Sequence, residues 1–499
     1  MSIKPLLKAA ALMLLPWLAW SCQWMTEDFD DVIDGEATQY INVTISVSAS
    51  SDPMTRAVPE GDEDGDGLEK GNDRENNVND ITLIFYQDGT GATDGTGINT
   101  NSDAVTVLCV KRYEVHPVTN ATADLPANHA TIPANEVLYS TGNQRLKETE
   151  LQPGETYRVL VVANAVVSVK VGDKIKDVRD LLLTSVYSGS GVGINATDFV
   201  MSSERDAVVT LSNPTITTVN GENRFIYYFD CIHIERLAAR IDYWANKSNG
   251  YKTKQADNTT DYTVPGYEYT VWKRTDTNAT GPTSNDRFVL TSITPFNLNN
   301  GNEYMVKRTN DASNPYLAVE TGNNWVIDPY TTGKTGTAHP DYLVSTLASV
   351  TTTFANNFNV TMASQQENVL TIGEKPDVIV GYTKENTLSG GESKLYYYAT
   401  GIAFEGYYYK NGIGAGERRV YYHFIRHHGE SDEAYNALTA ETIDDAKTTL
   451  CPQTPAMNYG IVRNNIYRIS IDKITEDAAM QVTIKVKKWD TFRHSTIYM

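Results

Sequence analysis

The sequence lacks the signatures of several large functional classes. Its 62 acidic residues outnumber its 42 basic ones, which gives a net charge of −20. A protein that binds nucleic acid needs a basic stripe to displace counterions from the phosphates, so this balance argues against that class. No G-x-S-x-G, H-E-x-x-H or comparable catalytic signature is present. We therefore predict that the protein is not an enzyme and needs no cofactor.

Cysteine is scarce, with 4 residues in the chain. Cys109, Cys231 and Cys451 lie far apart, have no C-x-x-C spacing, and form an odd number once Cys22 is set aside. They are interpreted as small buried hydrophobic residues, and one disulfide among them is the alternative in an oxidising compartment. Neither a metal cluster nor a cysteine nucleophile is predicted.

The apolar stretch at the start of the chain is too short to span a bilayer. It follows Lys4 and Lys8 and reaches Trp20, a pattern typical of a secretory signal, here residues 1–21. A cysteine directly after such a stretch indicates a bacterial lipobox, so we expect Cys22 to carry a diacylglyceryl group. Cleavage elsewhere by an ordinary signal peptidase is the alternative.

The segment 22–56 combines an acidic tether with the clearest strand pattern of the first hundred residues. Apolar and polar residues alternate strictly from Tyr40 to Val47, which predicts a strand with one face toward a core. The residues on that face are Ile41, Val43, Ile45 and Val47.

An acidic linker follows this strand. It contains a Thr-Arg-Ala site at Arg56 and Ala57 and then a run rich in aspartate. Four carboxylates of that run have the spacing of a calcium loop, although the twelfth position is Asp instead of Glu and no amphipathic helix flanks it. A solvated linker is the favoured interpretation over a calcium site. The candidate ligands are Asp62, Asp64, Asp66 and Asp73.

The rest of the chain predicts two β-sandwich domains, at 57–232 and 233–499. Apolar runs such as 81–86 and 157–164 indicate buried strands, and a short helix is expected after Asp177. A weaker helical pattern runs from 342 to 354. No fixed short repeat is present, which excludes solenoids and propellers.

The C-terminal end is apolar and β-prone, whereas most chains end in polar residues. We expect it to be buried in the chain's own sheet or in a neighbour's. The residues predicted to contact such a sheet are Val482, Ile484, Val486, Trp489, Ile497 and Met499.

Histidine and tyrosine clusters offer weaker indications. His423 and His427 would share one face of a strand, but no carboxylate is spaced to complete a metal site, so an exposed polar strand end is the interpretation. The run Tyr407 to Tyr409 could stack on a sugar.

The order of these segments resembles that of the type V pilins, the fimbrillin family of Bacteroidia, and in particular its minor-fimbria branch. The resemblance is carried by the lipobox cysteine, the acidic tether, the strand at 42–47, the Thr-Arg-Ala site and the strands at 81–86 and 159–164. Two later segments, 234–241 and 459–468, are similar to segments of that branch. The resemblance to this family therefore covers nearly the whole chain.

The resemblance implies a fold and a mode of assembly. It implies two transthyretin-like antiparallel β-sandwich domains with short helical insertions, export as a lipoprotein to the outer membrane, and cleavage at Arg56–Ala57 by an Arg-specific surface protease. Loss of the first strand would open a groove that receives a C-terminal strand of another subunit. The implied product is an extracellular fimbrium made of copies of this chain, able to meet host or bacterial receptors. A pilus tip or accessory adhesin and a surface glycan-binding lipoprotein are the alternatives.

Overall fold

A computed structural model of the protein describes a large part of the chain. The described residues are 38–47, 68–70, 73–87, 105–118, 137–147, 150–188, 196–203, 206–244, 251–252, 266–272, 285–310, 316, 326–330, 360–361, 377–388, 398–412, 414–425, 435–439, 459–476 and 480–490.

The described residues of the first half form strands and two short helices. The strands are β1 (Thr38–Ser46), β2 (Leu68–Lys70), β3 (Asp80–Tyr86), β4 (Val107–Glu114), β5 (His116–Pro117), β6 (Leu138–Ser140), β7 (Gln144–Leu146), β8 (Thr156–Ala163), β9 (Leu182–Leu183), β10 (Met201–Ser203), β11 (Ala207–Thr210), β12 (Thr215–Val219) and β13 (Glu222–Arg236). The helices are α1 (Asp73–Asn76) and α2 (Ile175–Arg179).

The described residues of the second half form mainly strands and include a short 3₁₀ helix at Lys410–Gly412. The strands are β14 (Ala239–Trp244), β15 (Tyr251–Lys252), β16 (Gly266–Trp272), β17 (Arg287–Phe296), β18 (Glu303–Tyr304), β19 (Val360–Thr361), β20 (Asp377–Thr383), β21 (Gly401–Tyr409), β22 (Glu417–Phe424), β23 (Tyr435–Thr439), β24 (Asn465–Thr475) and β25 (Met480–Asp490). The predicted all-β class with short helical insertions is confirmed.

The first sheet has the order β4-β3-β8-β10-β13-β1-β6-β5. Strand β13 pairs with β1 and β12 along its first part and with β10 at its last residues. Phe85 in β3 and Phe229 in β13 meet edge to face with ring centroids 6.1 Å apart. A flat sheet would hold these strands about 14 Å apart, at roughly 4.8 Å per strand step. The sheet therefore folds over a core, and β1 contributes to one of its two layers.

The second sheet has the order β15-β16-β17-β21-β22-β23-β25-β24-β14-β20, and a further pairing joins β16 to β24. That pairing closes a ring of β16, β17, β21, β22, β23, β25 and β24. Tyr243 of β14, which extends the sheet beyond β24, contacts Phe404 of β21 in the second core, with ring centroids 6.2 Å apart. Several of the abundant tyrosines, such as Tyr267 and Tyr421, are fully buried in this core.

Two details differ from the sequence prediction or refine it. The helix expected after Asp177 does not form there: α2 covers Ile175–Arg179 and ends two residues after Asp177, and Leu182–Leu183 form strand β9. The reason is tertiary, because β9 pairs with Glu303–Tyr304 in β18. The predicted domain boundary at 232–233 falls inside β13, and the chain passes to the second sheet between β13 and β14. The helix expected at 342–354 lies outside the described residues.

The two halves meet at a buried cluster of charged and polar side chains around α1. Glu75 is fully buried, and its Oε2 lies 2.9 Å from Nη1 of Arg240 in β14. Tyr382 of β20 donates a hydrogen bond to its Oε1. Arg236 donates from Nε to the Glu75 carbonyl at 2.9 Å and from Nη1 to Asn464 Oδ1 at 3.2 Å. The helix that follows the acidic linker is thus fixed against the second half.

Candidate functional site

Strand β1 lies inside the first sheet and is hydrogen-bonded along both edges. On one side Thr38–Ser46 pairs in parallel with β13, with Val43 opposite Phe229. On the other side its first residues pair with β7 and its last residues with β6, both antiparallel. The backbone groups of this first strand are therefore satisfied by three other strands, which places it as an interior element.

The inner face of β1 is part of the main hydrophobic core. All four side chains that the sequence predicts on this face have no exposed surface. They are Ile41, Val43, Ile45 and Val47. Phe229, which lies opposite Val43 in β13, contacts Phe85 of β3 edge to face, so β1 lies beside a contact that joins the two layers of the core.

The outer face of β1 is buried as well, which the alternating pattern does not predict. Asn42, Thr44 and Ser46 are each at most 5% exposed. Asn42 Nδ2 donates to Asn143 Oδ1 at 3.0 Å, and Ser140 Oγ donates to Asn42 Oδ1 at 3.0 Å. The sequence did hold one indication that this outer face is buried. Its side chains are short, polar and uncharged, whereas solvent-facing strand positions usually include charged residues.

The turn between β6 and β7 supplies these polar contacts. Thr141 Oγ1 accepts a hydrogen bond from the backbone nitrogen of Val43 at 3.0 Å, and the Thr141 nitrogen donates to the Val43 carbonyl at 3.1 Å. Gly142 has a φ of +64°, a conformation that glycine adopts without strain, and its nitrogen donates to Ser140 Oγ at 3.0 Å. The turn thus continues the hydrogen bonding of β1 where the neighbouring strand is interrupted.

The predicted donor segment lies in the second sheet of its own chain. Strand β25 pairs with β24 along most of its length, with β23 at its start and with β2 at its end. Val482 is buried and Ile484 is partly buried against the second core. Val486 and Trp489 belong to β25, and Ile497 and Met499 lie outside the described residues. The donor role of these residues stays a prediction.

Several other predicted positions lie outside the part of the chain that the structure describes. These are Cys22, Arg56, Ala57, Asp62, Asp64, Asp66, His427 and Cys451. Asp73, the fourth calcium candidate, is the first residue of α1. Among the described residues no group of three or more His, Cys, Asp or Glu side chains is arranged to hold a metal ion.

The remaining candidates are placed in the sheets. His423 is buried in β22. Cys109 is a buried thiol, and burial raises its pKa to about 11, whereas Cys231 is partly buried. Tyr408 and Tyr409 are buried, so they form no exposed platform for a sugar ring. Within the described ranges, no helix is long and apolar enough to cross a membrane.

Comparisons with known proteins identify similar structures only. No model of a protein family matches the sequence, and no curated protein matches it. The tip fimbrial protein of Porphyromonas gingivalis, solved with a C-terminal truncation, is similar with a TM-score of 0.39 at 12% identity, over 90% of this chain and 100% of that one. A fimbrilin of the same species has a TM-score of 0.37 at 12% identity, over 92% and 100%.

A fimbrial assembly protein of Parabacteroides distasonis is similar at lower scores. Its TM-score is 0.29 at 11% identity, over 90% of this chain and 98% of that one. Likeness at this level assigns no role to any residue.

Proposed function

We propose that the protein is a structural or adhesive subunit of a cell-surface pilus, activated by removal of its first strand. In this proposal the chain is exported as a lipoprotein held at the outer membrane through Cys22. An Arg-specific protease then cuts between Arg56 and Ala57, and β1 leaves with the propeptide. The observation that carries the proposal is that β1 is interior, buried on both faces, and followed directly by the linker that contains Arg56.

Loss of β1 would leave the first sheet incomplete in two ways. The edges of β13 and of β6 and β7 would present unpaired backbone groups, and the apolar core would be open to water. Burying the four inner side chains is worth on the order of 6–12 kcal/mol, at about 1.5–3 kcal/mol each. A strand from another copy would recover a comparable amount by β-augmentation. The cut therefore makes assembly favourable.

The donor in this proposal is the C-terminal segment of another subunit. In the uncut chain β25 is held mainly by the ladder with β24, because β23 pairs only with its first residues and β2 only with its last. Donation of β25 therefore exchanges one ladder for another and leaves the number of paired strands nearly unchanged. While β1 occupies the groove, no strand edge is free there for a second copy, so donation becomes possible only after the cut.

Treatment with an Arg-specific protease tests the proposal. The full chain should give ladders of SDS-resistant oligomers after treatment, and an Arg56→Ala variant should remain monomeric. Arg112→Ala is the matched control, because Arg112 is exposed and lies in β4, which does not pair with β1, so this variant should still form ladders. Ladders formed equally by the Arg56→Ala variant would contradict the cleavage step.

A further inference from the structure

The groove around β1 contains a polar contact that apolar packing does not require. The amide of Asn42 is buried, and it is bound through both of its polar atoms, by Ser140 and by Asn143. Ser140 has no exposed surface, and its Oγ also accepts the hydrogen bond of the Gly142 nitrogen. This part of the groove is therefore shaped for a side chain that both donates and accepts.

A segment near the C-terminus repeats the sequence of β1. Residues 41–47 are Ile-Asn-Val-Thr-Ile-Ser-Val, and residues 480–486 are Met-Gln-Val-Thr-Ile-Lys-Val. Four positions are identical, the first is a large apolar residue in both, and the second is a primary amide in both, Asn42 and Gln481. The exception is Lys485, which stands where β1 has Ser46.

The alternation of apolar residues does not by itself define the register in which such a segment would bind in the groove. Side chains alternate with a period of two, so a strand that slips by two residues keeps its apolar face toward the core. A slip would bring Ala479 or Thr483 to the place of Asn42. Ala479 has no polar side-chain atom and Thr483 has a single hydroxyl oxygen, so only the register with Gln481 at this place offers a separate amide nitrogen to Asn143 and a separate carbonyl oxygen to Ser140.

We infer that Ser140 and Asn143 set the register of the incoming strand by binding the amide of Gln481 from a second copy of this chain. Residues 480–486 of that copy then take the places of 41–47, with Val482 and Ile484 in the positions of Val43 and Ile45. This inference rests on the proposed function, because the groove is open only after β1 has left. It adds a specificity-determining pair of residues and a defined register.

Peptide binding to the cut protein tests the inference. The full chain is cleaved with an Arg-specific protease in the presence of fluorescein-labelled synthetic peptides, and binding is measured by anisotropy. The peptides cover 478–488 with Gln481, with Gln481→Asn or with Gln481→Leu, and a fourth peptide copies β1 at 38–47. The acceptors are the natural chain and a Ser140→Ala variant.

We expect the effect of substituting Gln481 in the peptide to depend on whether the acceptor carries Ser140. On the natural chain, Gln481→Leu should weaken binding about tenfold, because it leaves the buried hydroxyl of Ser140 without its acceptor. Gln481→Asn should bind within about threefold of the natural peptide. On the Ser140→Ala acceptor the loss caused by Gln481→Leu should shrink to less than about threefold, which is the sign of a direct interaction.

Two results would overturn the inference, and they differ in what else they affect. Equal binding of the Gln481 and Gln481→Leu peptides to the natural chain would remove the register pair while strand exchange itself stands. Failure of every peptide to bind, the β1 peptide included, would overturn the proposed function and the inference with it.

Discussion

Truncation of one buried side chain on β1 should lower the free energy of unfolding and weaken the binding of β1 to the rest of the first sheet. Ile45 has no exposed surface and lies opposite Ile232 of β13 and Tyr139 of β6. Ile→Ala changes at such sites cost about 2–5 kcal/mol, depending on how far the surroundings collapse. Hydrogen-bonded strands flank Ile45 on both sides and limit that collapse, so we expect about 3–5 kcal/mol for Ile45→Ala.

The assay is urea unfolding of the uncut chain, followed by release of the labelled propeptide after cleavage. Ile216→Ala is the matched control, because Ile216 is 59% exposed in β12 of the same sheet. Its loss should not exceed about 1 kcal/mol, the range of strand propensity. Ile45→Ala should also release the propeptide faster, whereas Ile216→Ala should not. A difference below about 1 kcal/mol between the two variants would refute the argument that the inner face holds β1 in place.

Three further predictions concern buried charges and thiols. Glu75→Gln should lower the free energy of unfolding by about 3 kcal/mol, because it breaks a buried ion pair. Asp80→Asn, in a partly exposed ion pair, should change it by at most about 1 kcal/mol. Urea titration of both variants measures these two changes in free energy. Burial and a neighbouring carboxylate raise the pKa of Glu303 well above its usual range, so native stability is lost as pH rises through that pKa. The variant Glu303→Gln should therefore gain more in melting temperature at pH 8 than at pH 5. Equal gains at the two pH values would contradict this. Maleimide at pH 8 should label Cys231 before Cys109, because the Cys109 thiol is buried and burial raises its pKa to about 11. Peptide mass mapping measures the order of labelling, and the reverse order would refute this expectation.

The buried ion cluster at Arg463 shows why the pKa of Glu303 is raised. Arg463 Nε and Nη2 each lie 2.9 Å from an oxygen of Glu385, whereas Glu303 Oε1 lies 3.2 Å from Nη2. One guanidinium therefore forms its bidentate contact with Glu385, and a second buried carboxylate beside it is favoured in its neutral form. The charge of this cluster is thus coupled to pH through Glu303.

The strand periodicity of β1 was sufficient to predict its inner face. Alternation with a period of two fixes which side chains share a face, and a face of Ile and Val is buried wherever a core is available. The same reasoning applies to β3 and β8, whose apolar runs predicted strands buried on both faces. Their existence follows from local pattern and burial.

Only the tertiary structure decided the neighbours of these strands. Nothing local indicates that β1 pairs in parallel with β13, almost two hundred residues later, or that Ser140 and Asn143 bind the amide of Asn42. Likewise Leu182–Leu183 became a strand because β18 lies beside it. Pairing partners depend on the path of the whole chain, and a pattern of single residues carries no information about that path. The sequence by itself determined which face of β1 is apolar, and the fold decided that its polar face is buried as well.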